Sequence, residues 1–232
     1  MVLNRRHFIA AACAFGPVGF YGSEVGAQSA AVAKARSAGA DGKGKAATIT
    51  ILVVGDSLSA EYGLRRGSGW VALLDRKLQT ESVPAKLVNA SISGDTTSGG
   101  RSRLPALLEQ HKPSHVIIEL GGNDALRGLP LQMTQDNLSH MTRLAQQTGA
   151  QVLLVGMQVP PNYGSDYANR FAGLFAQTAR VHDAALVPFL LKGVADGADP
   201  TELFQSDRIH PNAQAQPLML ANVWPVLRKL LP

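Results

Sequence analysis

Five short runs rich in β-branched and aliphatic residues recur along the chain: "TITILVVG", "AKLVNASI", "HVIIELGG", "QVLLVGMQV" and "AALVPFL", with room for a helix between each pair. A run that is apolar at both alternating positions suits a strand covered on both faces, which is the pattern of a parallel sheet. The intervening segments carry helical spacing. Trp70, Leu74 and Leu78 repeat every four residues, and Leu138, Met141, Leu144 and Ala145 form a second stripe. Alternation of strand and helix calls for right-handed crossovers, so the expected class is α/β, with a parallel sheet of about five strands between two helical layers. The last segment repeats Met219, Val223, Leu227 and Leu231, while Pro217 and Pro225 predict a kink or a break near one of them.

Only part of the chain suits such a domain. Arg5 and Arg6, followed by His7-Phe8-Ile9, a modest apolar stretch and small residues up to Ala27, have the layout of a twin-arginine export signal over residues 1–27. Gly16, Pro17 and Gly19 interrupt the apolar stretch, so no stable membrane insertion is expected. Residues 28–46 are Ala, Gly, Ser and Lys without apolar periodicity and read as a disordered linker. The domain is then 47–232, and its expected location is the periplasm of a bacterium or the medium outside it. Cys13, the only cysteine, lies in the signal, which leaves the domain without disulfides, a thiolate nucleophile or a cysteine metal site. The formal charge of +5 includes Arg5, Arg6 and Glu24; no dense basic stripe with interleaved aromatics remains, so nucleic acid is not an expected partner.

In a parallel sheet the carboxyl ends of the strands share one edge, and three runs end there in unusual loops: "GDSLS", "SISGDTTSGG" and "GGNDALRG". Ser57, just past the first strand, is a nucleophile candidate, with a turn or N-cap serine as the alternative. Of the histidines, His7 is in the signal, and His111, His115, His140 and His182 read as surface or packing residues. His210 stands three residues after Asp207 in "SDRIHPN", a spacing that lets the carboxylate reach Nδ1 and set the tautomer. Gly94 offers a backbone N–H and Asn123 a side-chain amide for a developing oxyanion, although Asn123 also suits a plain turn. Asp56 and Asp124 have no companion cluster that completes a metal shell; both read as structural acceptors, and no metal is expected.

Together "GDSLS", Gly94 within "NASISGDTTSGG", "GGND" and "DRIHP" resemble the four blocks of the SGNH, or GDSL, hydrolases. The resemblance runs from about Thr48 to the final helix. It is similar in detail to the bacterial periplasmic acyl-CoA thioesterase, lysophospholipase and arylesterase group through "ASISGDTTSGGRSRLPALLEQHKPSHVIIELGGNDALRG" and "PPNYG". It implies a flavodoxin-like three-layer α/β/α sandwich, Ser57 as nucleophile, His210 as base and Asp207 as orienting acid. The oxyanion hole would comprise the N–H groups of Ser57 and Gly94 and the side chain of Asn123. It further implies an acyl-enzyme, no cofactor, and an acyl site and rim carried by "ALRGLP" and "VPPNYGSDY", with Leu126, Pro130, Pro160 and Tyr163 as substrate-binding residues. Aryl esters, lysophospholipids and fatty acyl thioesters are the expected substrates, hydrolysed by a monomer. The alternatives are a carbohydrate O-acetylesterase of the envelope and a non-catalytic module cradling phosphate or flavin, against which the first loop lacks the glycine and lysine spacing of phosphate loops. Two departures stand out: Arg208 and Glu61 occupy positions where relatives often carry glycine.

Overall fold

The computed structural model describes residues 49–197, 199 and 201–232. The expected signal (1–27), the linker (28–46) and residues 47 and 48 lie outside the described residues.

Each of the five apolar runs supplies one strand: β1 (Ile49–Gly55), β2 (Ala85–Asn89), β3 (His115–Glu119), β4 (Gln151–Val155) and β5 (Ala185–Val187). All neighbours are parallel, in the order β2-β1-β3-β4-β5. The central strands explain the near-continuous apolar runs: every residue of β3 is buried, and in β1 only Thr50 is not. At the edge, β2 exposes Lys86 and Asn89, which blunts a bare strand edge. Helix α1 (Trp70–Thr80) packs with α6 (Gln216–Arg228) on one face; α2 (Thr97–His111), α4 (Leu131–Gln147) and α5 (Ser165–His182) line the other, and a short α3 (Gly122–Leu126) follows β3. The result is the three-layer α/β/α sandwich.

The helical stripes face the sheet. Trp70, Leu74 and Leu78 are fully buried, as are Leu138, Met141 and Ala145, while Leu144 lies at the margin. Burying each large side chain of this kind is worth about 2 kcal/mol. The break expected near Pro217 or Pro225 does not occur. Pro217 falls in the first turn of α6, where a missing N–H costs nothing, and the helix continues through Pro225 to Arg228. Met219, Val223 and Leu227 are all fully buried along that helix, and their burial outweighs the one intrahelical bond that Pro225 cannot make.

The chain leaves β1 toward β2 and later leaves β3 toward β4, so the loops after β1 and β3 diverge and open a crevice at the carboxyl edge. Ser57 and Asn123 sit on those two loops.

Candidate active site

Helix α1 does not begin until Trp70, so Ser57 lies on a turn and not at a helix start. The turn is tied to the end of β1: Ser59 and Ala60 N–H donate to Asp56 O at 3.2 and 2.9 Å, and Leu58 N–H donates to Asp56 Oδ1 at 3.0 Å. Beneath it, Glu119 at the end of β3 is only 2% exposed and pairs in register with Gly55. Its Oε2 accepts from Ser59 Oγ at 2.7 Å and from Asp56 N–H at 3.3 Å. A Cβ on Gly55 would lie 2.8 Å from that carboxylate oxygen, so only glycine lets the turn settle onto it.

His210 reaches Ser57 from the loop before α6. Its Nε2 is 3.0 Å from Ser57 Oγ and its Nδ1 is 2.7 Å from Asp207 Oδ2. Asp207 Oδ1 accepts the N–H groups of Ile209 and His210 at 2.9 and 3.0 Å. These backbone donors, with the imidazole, hold the Asp207 carboxyl down to about 2. An ionised carboxylate only accepts, so Nδ1 carries the proton; in the neutral imidazole Nε2 is then the acceptor and Ser57 Oγ donates to it. Gln205 steadies this loop, its N–H donating to His210 O at 2.8 Å and its Nε2 to Tyr62 O at 2.9 Å. The Tyr62 ring covers the imidazole with centroids 4.2 Å apart.

The donor side is built by the loops after β2 and β3. Gly94 has φ +79°, and its carbonyl accepts from Arg127 at 2.8 Å. Among the described residues nothing accepts from the backbone N–H of Gly94 or of Ser57. Asn123 is committed: its Nδ2 donates to Asp56 Oδ2 at 3.0 Å and to Asp95 O at 2.9 Å. Asp56 is buried, and that burial raises its carboxyl from 3.8 to about 6 despite the bonds from Leu58 and Asn123. Burial, with Asp56 alongside, also drives Glu119 well above the usual carboxylate range. Arg103 braces the Gly94 loop, donating through Nε to Asp95 at 2.8 Å and through its two Nη groups to the carbonyls of Ala90 and Gly55. Asp124, fully buried, accepts from Thr97 and Thr134.

A hydroxyl bonded to an imidazole that is itself bonded to an ionised carboxylate, beside free N–H donors, suits acyl transfer. The profile of the GDSL-like Lipase/Acylhydrolase family matches residues 53–217. Esterase TesA of Pseudomonas aeruginosa is 51% identical over 187 residues, 81% of this chain and 92% of that protein. The chain belongs to this family. Thioesterase 1/protease 1/lysophospholipase L1 of Escherichia coli is 42% identical over 174 residues, 75% of this chain and 81% of its own. Among solved structures, TesA matches with a TM-score of 0.76 at 51% identity, covering 78% of this chain and 99% of that one. The psychrotrophic esterase EstA from Pseudoalteromonas sp., inhibited by monoethylphosphonate, matches with 0.73 at 42% identity, covering 78% and 97%. As a GDSL-like acylhydrolase the chain is an ester hydrolase.

Within this GDSL-family framework the two departures acquire a physical meaning. Glu61 and Arg208 have φ of +61° and +56°, the left-handed region where glycine is unstrained and other residues are not. Glu61 offsets the strain: its two carboxylate oxygens accept from Gly67 and Gly69 N–H at 2.9 and 2.7 Å, ordering the loop before α1. Arg208 is exposed and makes no such bond among the described residues.

Leu126, Pro130 and Pro160 are exposed, and Tyr163 is half-buried with its ring 6.0 Å from that of Tyr167. None of the four lines the cavity of about 440 Å³ beside the Ser57 turn, whose walls include Ala60, Glu61, Arg66, Asn89 and Ser91. A second cavity, of about 430 Å³ between α2 and α4, lies at the other edge of the sheet around Pro105, Leu108 and Leu144. Sequence reasoning missed Glu119, Arg103 and Gln205. The available signal was a glutamate ending an otherwise apolar strand, which is costly unless it has partners.

Proposed function

We propose that the chain hydrolyses acyl esters and thioesters, among them aryl esters, lysophospholipids and fatty acyl thioesters, by two-step acyl transfer through Ser57, His210 and Asp207. The observation that carries this reading is the unbroken line from Ser57 Oγ through His210 to Asp207, at 3.0 and 2.7 Å. As Ser57 attacks the carbonyl, Nε2 of His210 takes its proton, and the imidazolium is stabilised by a carboxylate that stays ionised down to about 2. The unpartnered N–H groups of Ser57 and Gly94 receive the oxyanion. Asn123 joins them by giving up one of its two acceptors, Asp56 Oδ2 or Asp95 O. His210 returns the proton to the leaving group, and water then repeats the sequence on the acyl-enzyme. The relatives' names, Esterase TesA, thioesterase 1/protease 1/lysophospholipase L1 and Arylesterase, support this span of substrates.

Leu126, Pro130, Pro160 and Tyr163 are assigned to the acyl site and its rim, and the leader with Arg5-Arg6 assigns the enzyme to the periplasm or the medium. Hydrolysis of p-nitrophenyl esters from acetate to palmitate, by the chain and its Ser57→Ala variant, tests the reading. Serine-dependent turnover extending to medium or long chains is expected. Collapse of activity beyond butyrate would transfer the assignment to a carbohydrate O-acetylesterase, and turnover that survives in Ser57→Ala would overturn it.

A further inference from the structure

Six large apolar side chains stay exposed among the described residues, and four of them lie on the segments of the carboxyl edge that carry the candidate site. Tyr62, Ile92 and Leu126 are 50–53% exposed on the loops after β1, β2 and β3, and Ile209, 51% exposed, adjoins His210. The other two, Val181 and Leu218, lie apart on α5 and α6. Isolated exposed apolar residues need no explanation, but a group supplied by four separate loops around one site does.

The charges of the same three loops are sorted by sign. Their four carboxylates are all turned inward: Asp56 and Asp124 are buried, Glu61 is held by Gly67 and Gly69 N–H, and Asp95 is bridged to Arg103. Arg65, Arg66 and Arg127, with Arg101 at the start of α2, are exposed and have no carboxylate partner among the described residues. The exposed acids of this edge, Asp166, Asp196, Asp199, Glu202 and Asp207, follow β4 and β5, on the opposite flank of the crevice, where Arg170, Lys192 and Arg208 are the exposed cations and Arg170 is bridged to Asp166. One flank therefore presents apolar tips among guanidinium groups that no carboxylate neutralises, and the other presents more carboxylates than cations.

We propose that the loops after β1, β2 and β3 form a docking surface for an anionic phospholipid bilayer. Tyr62, Ile92 and Leu126 seat among the headgroups, and Arg65, Arg66, Arg101 and Arg127 meet the phosphates. Apolar tips that enter only the headgroup boundary, backed by cations drawn to a negative surface, are the elements of reversible interfacial binding. The acidic flank is repelled from the same surface, so the molecule tilts with the mouth of the Ser57 crevice toward the lipid. This surface does not depend on which ester is cleaved, and its test reads binding and not turnover.

The experiment places an indole at the surface with Ile92→Trp in the full chain and mixes it with phosphatidylglycerol vesicles brominated along their acyl chains. Relative to the wild-type background of Trp70 and Trp224, a blue-shifted and quenched emission is expected, weakened by salt and absent with brominated phosphatidylcholine vesicles. Adding Arg65→Gln and Arg66→Gln should weaken binding about thirtyfold, about fivefold for each arginine. Tyr62→Trp provides a second, conservative probe should Ile92→Trp not fold. The proposal is overturned if the new indole stays solvent-exposed while the chain sediments with the vesicles, if neutral and anionic vesicles quench it equally, or if no binding occurs. Hydrolysis of p-nitrophenyl butyrate at the wild-type rate by the Ile92 and arginine variants shows that they are folded. Quenching without any hydrolysis by the wild-type chain would sink the esterase mechanism and leave the docking surface standing.

Discussion

Asp207 and Asp56 are the two carboxylates nearest the Ser57 turn and its histidine, one on the solvent-facing loop before α6 and the other at the buried end of β1. Asp207 receives two backbone N–H bonds and the imidazole, and its carboxyl is held at about 2. Asp56 receives comparable bonds but lies in the core, and burial, with the like charge of Asp95 nearby, raises it to about 6. The same functional group is a dependable anion in one place and a reluctant one in the other. Local donors therefore do not decide its charge alone; access to water and the sign of the nearest neighbour do. An orienting acid for an imidazolium needs the first environment. A clamp that holds a turn and an amide needs only acceptor oxygens, which the second supplies.

The comparison breaks most sharply at Asp207. Asp207→Asn should keep the fold and lower kcat by about 10⁴-fold, because an amide can hold the imidazole in the wrong tautomer; a loss under tenfold would remove Asp207 from the mechanism. On the buried side, Asn123→Ala should lower kcat by about 10²- to 10³-fold with KM little changed, as loss of an oxyanion donor does. An effect confined to KM would leave Asn123 as a turn residue held by Asp56.

Stability should show the reverse ranking. Glu119→Ala strands Ser59 Oγ and Asp56 N–H in the core and is expected to cost about 2–4 kcal/mol in urea unfolding. Glu119→Gln, which replaces a carboxyl already driven toward its neutral form, should cost under about 1 kcal/mol. A large cost for Glu119→Gln would mean that the carboxylate is charged in the native state. The pH dependence separates the two acids by sign. Native Asp56 holds its proton between 3.8 and about 6 where the unfolded chain has released it, so stability falls as pH rises through that window, and Glu119 acts in the same direction. Asp207 loses stability as pH falls from 3.8 toward about 2. Asp56→Asn should flatten the upper slope and leave the lower one, as measured by urea midpoints from pH 2 to 7. The smallest effect concerns the residue next to Asp207: Arg208→Gly relieves a left-handed backbone at φ +56° and should stabilise by about 1 kcal/mol or less with kcat unchanged.

Legibility followed sequence distance. The Asp207–His210 pair spans three residues, and Asx-turn geometry at Asp56 spans two, so both are local consequences of composition. The Glu119–Ser59 bond spans 60 residues and the Gln205–Tyr62 bond 143, and no local pattern announces either. The same limit explains α6. A rule that reads only neighbours expects Pro225 to end or kink a helix, whereas the buried face of Met219, Val223 and Leu227 carries it onward. Asn123 shows a subtler gap: its position after β3 was evident, but its engagement with Asp56 and Asp95 depends on three loops meeting.

By itself the sequence determined the strand runs, the helical stripes and hence the α/β layers, because hydrophobic periodicity is a property of the chain that burial only has to satisfy. It also determined which loops meet at the candidate site, since parallel strands deliver their carboxyl ends to one edge. Only the tertiary structure decided the charge state of each acid, the partners of Asn123, and which exposed apolar and basic side chains share a face. Those depend on dielectric surroundings and on distances between segments far apart in the chain, and both come into being only when the layers close.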